Sequence, residues 1–286
     1  MAPDRMISVL TLVKNRESHL CNLMEGLRRS VPAPAELVIV DMSDTPIARP
    51  ECDFPVSVLR LDVPGLPLAR ARNLAAAHAR SDRFLFLDVD CIPAAGLCGA
   101  MNSSLLQNDA LICAEVLYLG AGGVGESWTE TGLRATGMRH PARDFPGDGL
   151  RREANAGLFW SLAFGVARAT FHRIGGFDES FTGYGAEDTD FSFAAREAGL
   201  ELLFLGGPGA FHQHHGVSDP PLQHFSDIVR NAEIFHRKWG VWPMEGWLAR
   251  FRDLGLIAWT ETSFMVRRQP TEEECLNAAR APDARY

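Results

Sequence analysis

Four short stretches of this sequence carry residues with chemistry to offer. "RFLFLDVD" ends an apolar run on two carboxylates, Asp88 and Asp90. "GYGAEDTD" sets Glu187 and Asp188 just behind Tyr184 and its flanking glycines, Gly183 and Gly185. "AFHQHHG" offers the imidazoles of His212, His214 and His215, and "ARARN" places Arg70, Arg72 and Asn73 together. Carboxylates and imidazoles are ligands for divalent cations. A carboxylate within reach of a hydroxyl can take its proton. Guanidinium groups grip phosphate. Each stretch alone also has a plainer reading. Asp is common in turns, acids in a first helical turn are ordinary caps, and helix arginines are often solvated.

Groups like these must be held by regular elements. Ile7 to Val13 is apolar and rich in β-branched residues, so it reads as a buried strand. Leu20, Leu23, Met24 and Leu27 follow at helical spacing. "ELVIVD" (Glu36 to Asp41) is a second strand, and "VSVLRLD" (Val56 to Asp62) an alternating, edge-like third. Leu68 to Arg80 is an alanine-rich helix, and "RFLFLD" a fourth strand. Alternating strands and helices predict a mainly parallel sheet covered on both faces. Ligands bind such sheets outside the carboxyl ends of the strands. Asp88 and Asp90 sit at such an end, and on an extended chain they would point to one side.

Farther along, Ala110 to Leu119 is another strand candidate, whereas residues 120–155 show little periodicity and read as a long loop. Residues 157–177 should hold a strand and a short helix. A helix should start at the acids of "GYGAEDTD", carry Phe191, Ala194, Ala195 and Ala198 inward, stop at Gly199 and lead into a strand. From Pro220 the pattern turns helical, with tryptophans at 239, 242, 247 and 259. The expected division is therefore a sheet domain over 1–219 and a helical extension, 220–286, packed on it by tryptophan anchors.

A net charge of −8 argues against nucleic acid as a partner, because phosphate-backbone binding needs a basic face. The six cysteines show no C-x-x-C pair, so neither a zinc site nor a redox dithiol is expected, and buried free thiols in a reducing compartment are. "MAPDRMISVLTLVKNRE" lacks the charged leader and long apolar core of a signal peptide. No apolar run is long enough to span a bilayer. The expected setting is cytoplasmic, with room for peripheral association at the inner face of a membrane.

In order and content, "TLVKNRE", "VIVD", "ARARN", "FLDVD", "GGFDESFTGYGAEDTDF" and "AFHQHH" resemble the family 2 glycosyltransferases of the GT-A fold, with a galactosyltransferase-type C-terminal half. The resemblance covers residues 6 to 215. It implies a Rossmann-like α/β fold and a metal-dependent glycosyltransferase of polysaccharide biosynthesis. "DVD" would be its DXD motif, with Asp90 ligating Mn²⁺ or Mg²⁺ and Asp88 touching the donor ribose or a metal-bound water. His212 would complete the metal site, with His214 as the alternative. A histidine ligand favours Mn²⁺.

By the same resemblance, Asp188 is the base for the acceptor hydroxyl and Glu187 orients acceptor or sugar hydroxyls. A helix N-terminus would keep Asp188 ionised. Asp41 would accept the imide N–H of uracil. Thr11, Lys14 and Arg16 would line the nucleotide loop, and Arg70, Arg72 and Asn73 would face the diphosphate or the metal-site acids. Gly183 and Gly185 would let backbone approach a ligand, with Tyr184, Trp160 and Phe159 against the sugars. The implied donor is a UDP-sugar, either UDP-galactose or a UDP-N-acetylhexosamine, and the acceptor a glycan or lipid-linked hydroxyl. Inversion is implied, with a retaining transferase or a non-catalytic nucleotide-sugar binding protein as alternatives. Arg134, Arg139, His140, Arg143, Arg151 and Arg152 make the 120–155 loop basic and suit either a solvated loop or an anionic acceptor.

Overall fold

The computed structural model describes residues 6–279. The outer ends of the expected division, and the first residues of the leader reading, lie outside them. The chain runs β1 (Ser8–Val13), α1 (Glu17–Arg28), β2 (Glu36–Asp41), β3 (Val56–Arg60), α2 (Leu68–His78) and β4 (Arg83–Leu87), in the predicted order. It continues with β5 (Cys91–Pro93), α3 (Leu97–Gln107), β6 (Leu111–Tyr118), α4 (Glu130–Thr136), β7 (Met138–Arg139) and β8 (Gly149–Glu153). Then follow β9 (Ala163–Ala167), α5 (Arg168–Ile174), α6 (Glu187–Glu197) and β10 (Leu202–His212). Last come α7 (Phe225–Trp239), α8 (Glu245–Asp253), β11 (Ile257–Trp259), β12 (Phe264–Val266) and α9 (Glu272–Asn277).

The main sheet is ordered β3-β2-β1-β4-β9-β6-β10-β5. β1, β2, β3 and β4 pair in parallel, as do β6 and β10, while β9 runs antiparallel between β4 and β6. The ends of β1, β2, β4, β6 and β10 therefore share one edge of the sheet. The start of β9 reaches the same edge, because Ala163 pairs with Leu87. Strand direction thus gathers Arg16, Asp41, Asp88, Tyr118, Ser161 and His212 from distant parts of the chain.

Alternation along the strands splits neighbours between two faces. Val9, Leu37 and Leu85 join α1 and α3 in one buried cluster. Leu10, Val38 and Phe86 join α2, α5 and α6 in the other. The second is aromatic, with Phe86 stacked on Phe164 at 4.6 Å and Phe177 on Phe191 at 4.2 Å. Each such ring contributes roughly 1.5–3 kcal/mol through burial. β3 is the edge strand its alternation predicted, with only Val56 buried.

Four expectations need correction. Chain direction changes immediately after Leu87: Cys91 N–H donates to Asp88 O at 2.8 Å, so "DVD" is a turn and not extended backbone. Asp88 and Asp90 consequently face different partners. The 120–155 segment is not a structureless loop. Thr129 caps α4 by accepting from Gly132 N–H at 3.1 Å, and β8 pairs with β10. β8 is polar because backbone bonds, not an apolar face, hold it. Residues 220–279 contain the β11–β12 hairpin besides helices. Trp239 packs against Phe193 of α6 at 5.6 Å, whereas Trp242, Trp247 and Trp259 border a cluster whose core is built from residues after 220. All six cysteines are free, but only Cys91, Cys98 and Cys113 are buried; Cys52 and Cys275 are partly exposed and Cys21 is exposed. Among the described residues no helix is long and apolar enough to cross a membrane.

Candidate active site

The shared strand edge holds two groups of polar side chains. Arg72, on α2, centres the first. It is 3% exposed, an expensive place for a charge unless that charge is paired. Its Nη1 donates to Glu187 Oε1 at 3.0 Å, its Nη2 donates to Ser161 Oγ at 2.8 Å, and Asp88 Oδ1 stands 3.7 Å away. Glu187 opens α6 and is 6% exposed, and its Oε2 has no hydrogen-bond partner. Asp188 lies beside it and accepts from Thr189 N–H at 2.7 Å.

This crowding sets the protonation of the acids. Burial, then repulsion from Glu187, pushes Asp188 up to about 6 against the pull of Arg72. At neutral pH the acid is still mostly ionised, but desolvation and a neighbouring carboxylate work against the helix N-terminus that favours its charge. Burial likewise raises Asp88 to about 7, with Asp90, Glu187 and Asp188 adding repulsion and Arg72 opposing, although a third of its side chain stays accessible. Tyr184 is raised to about 12 by burial and by the same acids.

The second group is a cation-ready cluster. One ligand atom each from Asp90, His212 and His215 lies within 4.8 Å of the others. Burial depresses His212 to about 4, keeping its imidazole neutral with a lone pair to give. Asp90 Oδ1 is buried without a hydrogen-bond partner, while Oδ2 accepts from Arg16 at 2.8 Å. A carboxylate oxygen and two imidazole nitrogens form a donor set suited to a divalent metal.

His214, the alternative ligand, is not in this cluster; its carbonyl faces His19 Nε2 at 3.4 Å instead. β10 ends at His212, so the two-residue alternation that would pair 212 with 214 stops there. Gln213 fixes the exit of the chain. Its backbone N–H donates to Asp90 O at 2.7 Å, and its side chain bonds Asn22 and His19 O. His215 then returns to 3.5 Å from Asp90 Oδ2.

The other predicted residues divide. Arg16 reaches the Asp90–His212–His215 cluster through Asp90 Oδ2. Thr11 is 1% exposed with Oγ1 unpartnered, and Lys14 Nζ donates to Gly65 O at 2.6 Å. Asp41 is nearly sealed, and its carboxylate accepts from Ser43 N–H, Ile47 N–H and Arg60. Burial opposes its charge, but these bonds hold its pKa below the usual value. It anchors its own loop and leaves no open face for a base. Arg70 is exposed. Asn73 ties the turn at Phe177, donating to Phe177 O at 2.8 Å and accepting from Phe177 N–H at 2.9 Å. Phe159 is fully buried against Phe164 and so is core. Trp160 is half-buried, edge-on to His140 at 4.7 Å.

Tyr184 stacks on His224 at 4.5 Å and lies 5.9 Å from Trp247. Gly183 and Gly185 have φ of +76° and +94°, the left-handed backbone their side-chain-free form permits. The basic residues of 120–155 are largely paired, as in Arg139–Glu115 and Arg152–Glu201. Arg143 is buried over the rings of Phe145, Trp160 and Phe204. Sequence reasoning missed the contributions of Ser161 and Gln213. Neither carries a spacing signal, because strand pairing alone brings them in.

Comparison with known proteins agrees with this architecture. The family model "Glycosyl transferase family 2" matches residues 8–143, and "N-terminal domain of galactosyltransferase" matches 151–215. Validoxylamine A glucosyltransferases from Streptomyces hygroscopicus subsp. jinggangensis (strain 5008) and subsp. limoneus are each 41% identical over 80 residues. That is 28% of this chain but 18% and 17% of theirs. The crystal structure of GalNAc-T7 with UDP, GalNAc and Mn²⁺ superposes with a TM-score of 0.57 at 18% identity, covering 73% of this chain and 43% of that one. S. aureus TarS 1-349 in complex with UDP gives 0.53 at 16% identity, covering 81% and 65%. The fold is the GT-A fold of these glycosyltransferases.

Proposed function

Proceeding from a family 2 glycosyltransferase match on a GT-A sheet, we propose that this chain moves a sugar from a UDP-sugar to a hydroxyl of a glycan or lipid-linked acceptor, with inversion. The observation that carries this reading is the meeting of an acid pair, Glu187 and Asp188, with the Asp90–His212–His215 cluster at one sheet edge. UDP is favoured because GalNAc-T7 and TarS 1-349, which share this fold, were crystallised with it; an N-acetylhexosamine follows from the GalNAc bound to the first, and galactose from the galactosyltransferase match over 151–215. The working division is a transferase domain to residue 219 and an extension from 220.

Asp90, His212 and His215 would hold the metal, with Mn²⁺ preferred over Mg²⁺ for the imidazoles. A divalent ion bound there supplies positive charge for a departing diphosphate. The protein's own residues do the rest. Asp188 accepts the acceptor hydroxyl's proton while that oxygen bonds the anomeric carbon from the face opposite UDP. The bond from that carbon to the diphosphate oxygen breaks, and its electron pair leaves with UDP. Arg72 holds Glu187 so that its unpartnered Oε2 can meet a sugar or acceptor hydroxyl. Arg16, bonded to Asp90 Oδ2, would stand beside the diphosphate. Trp160 would offer a ring face to a sugar, whereas Tyr184, stacked on His224, would present its edge.

Thermal melts with UDP, GDP, CDP and dTDP, each with and without Mn²⁺, test the donor half of this reading. A ligand at a hundredfold its dissociation constant adds about 2.7 kcal/mol. Stabilisation by UDP only when Mn²⁺ is present is the expected result. No shift with any nucleotide and metal would overturn it. An anomeric product matching the donor would overturn inversion.

A further inference from the structure

The acids that open α6 are held from outside the sheet domain. Residues 182–186 carry three left-handed positions, Gly183, Gly185 and Ala186, the last with a φ of +72°. A non-glycine residue there costs roughly 1–2 kcal/mol, so surrounding contacts must hold it. They come from α7. Asn231 is 0% exposed, and its Nδ2 donates to Thr182 O at 3.0 Å and Gly185 O at 2.8 Å, with Tyr184 O at 3.4 Å. Arg230 donates to Thr182 O as well. The loop lies so flat on α7 that a Cβ on Gly183 would fall 2.1 Å from Asp227 Cγ.

The same helix grips α6 on the far side of the acids. Trp239 Nε1 donates to Asp190 Oδ1 at 2.7 Å, and Lys238 Nζ bridges Asp190 and Asp178 at 2.9 Å each. Glu187 and Asp188 are thus bracketed by two tethers from one helix. A bracket this close to the acids sets their angle of entry into the cleft.

We propose that Asn231 is a positioning residue, fixing the backbone at 182–186 so that Asp188 meets the acceptor hydroxyl, and that the extension is a working part of the catalytic unit. This rests on the transferase reading above. It predicts a division of labour. Donor and metal contacts belong to the edge built by β1, β4 and β10, and the acceptor step depends on α7.

The test uses the full chain. Asn231→Ala should bind UDP with Mn²⁺ within about threefold of wild type and keep donor KM within the same range. Its kcat should fall by about 10²-fold, the usual effect of misplacing a reacting group by an ångström. A merely structural role would lower the melting temperature and leave kcat per folded molecule unchanged, which would overturn the proposal. If Asn231→Ala does not fold, Trp239→Phe removes one tether and keeps a ring. It should lower kcat at unchanged UDP affinity, and an unchanged kcat overturns the proposal. A wild-type chain that binds UDP but releases no sugar sinks the transferase reading itself. An active wild type with an equally active Asn231→Ala sinks only this inference.

Discussion

Arg72 donates from Nη1 to Glu187 Oε1 at 3.0 Å, across 115 positions of sequence and with both side chains under a tenth exposed. The pair joins α2 to the first turn of α6 and so couples the two helices that bracket the cleft.

Removing one partner of a buried pair leaves the other charge without compensation. Arg72→Met should therefore cost about 3–5 kcal/mol in urea unfolding. Adding Glu187→Gln to that variant removes the stranded carboxylate and should recover part of the loss. A double variant no more stable than Arg72→Met would show that the pair is not the source of the cost.

Asp188 must be ionised to take a proton, and in the fold it titrates near 6. Activity should rise with pH through about 6 and level above it. Asp188→Asn should lose about 10²- to 10⁴-fold in kcat and retain UDP binding. Stability has the opposite sign. A carboxyl raised above its unfolded value favours the protonated fold, so its contribution is present below about 4 and lost as pH rises through 6. Asp188→Asn should then melt above wild type at pH 8, with the gap closing at pH 4. Melting curves at the two pH values decide this, and a variant less stable at both contradicts the crowding.

Manganese affinity separates the histidines. His215→Ala should weaken Mn²⁺ binding by more than about tenfold, since even outer partners of metal ligands cost 10- to 100-fold. His214→Ala should stay near wild type. A chelator should abolish transfer, and added Mn²⁺ should restore it. Calorimetric titration that ranks His214 above His215 would refute the cluster.

Two glycines with similar backbone angles should respond differently to alanine. Gly122 has φ of +70° and open space where a Cβ would stand, with no atom within 4 Å, so Gly122→Ala costs only backbone strain, about 1 kcal/mol. Gly183 has φ of +76° and sits on Asp227, so Gly183→Ala adds a steric clash and should lower the melting temperature much further. Equal shifts would mean that the loop moves freely off α7.

Much of this site was legible in the linear sequence because its elements are strongly patterned. "ELVIVD" is β2 residue for residue, and "EDTD" opens a helix as its glycines and acids predict. What escaped depends on contacts between distant segments. Asp88 and Asp90 diverge because the chain turns after Leu87 to begin β5, and a short turn of ordinary residues has no periodicity to read. His215, not His214, approaches Asp90 because Gln213 is bonded to α1 and to the "DVD" turn. The polar strand β8 exists because the start of β10 has an unpaired side. Asn231 looks like any helix asparagine until the loop it holds is placed beneath it.

The 2.8 Å contact between Arg16 and Asp90 has a consequence for how the cleft fills. A divalent ion at the open Oδ1 would share Asp90 with Arg16 on Oδ2, so two cations would lean on one carboxylate. Their mutual repulsion opposes loading, so Arg16→Gln should tighten binding of the ion alone. The same substitution removes a cation from the departing diphosphate, so tighter metal and slower turnover should appear together in one protein.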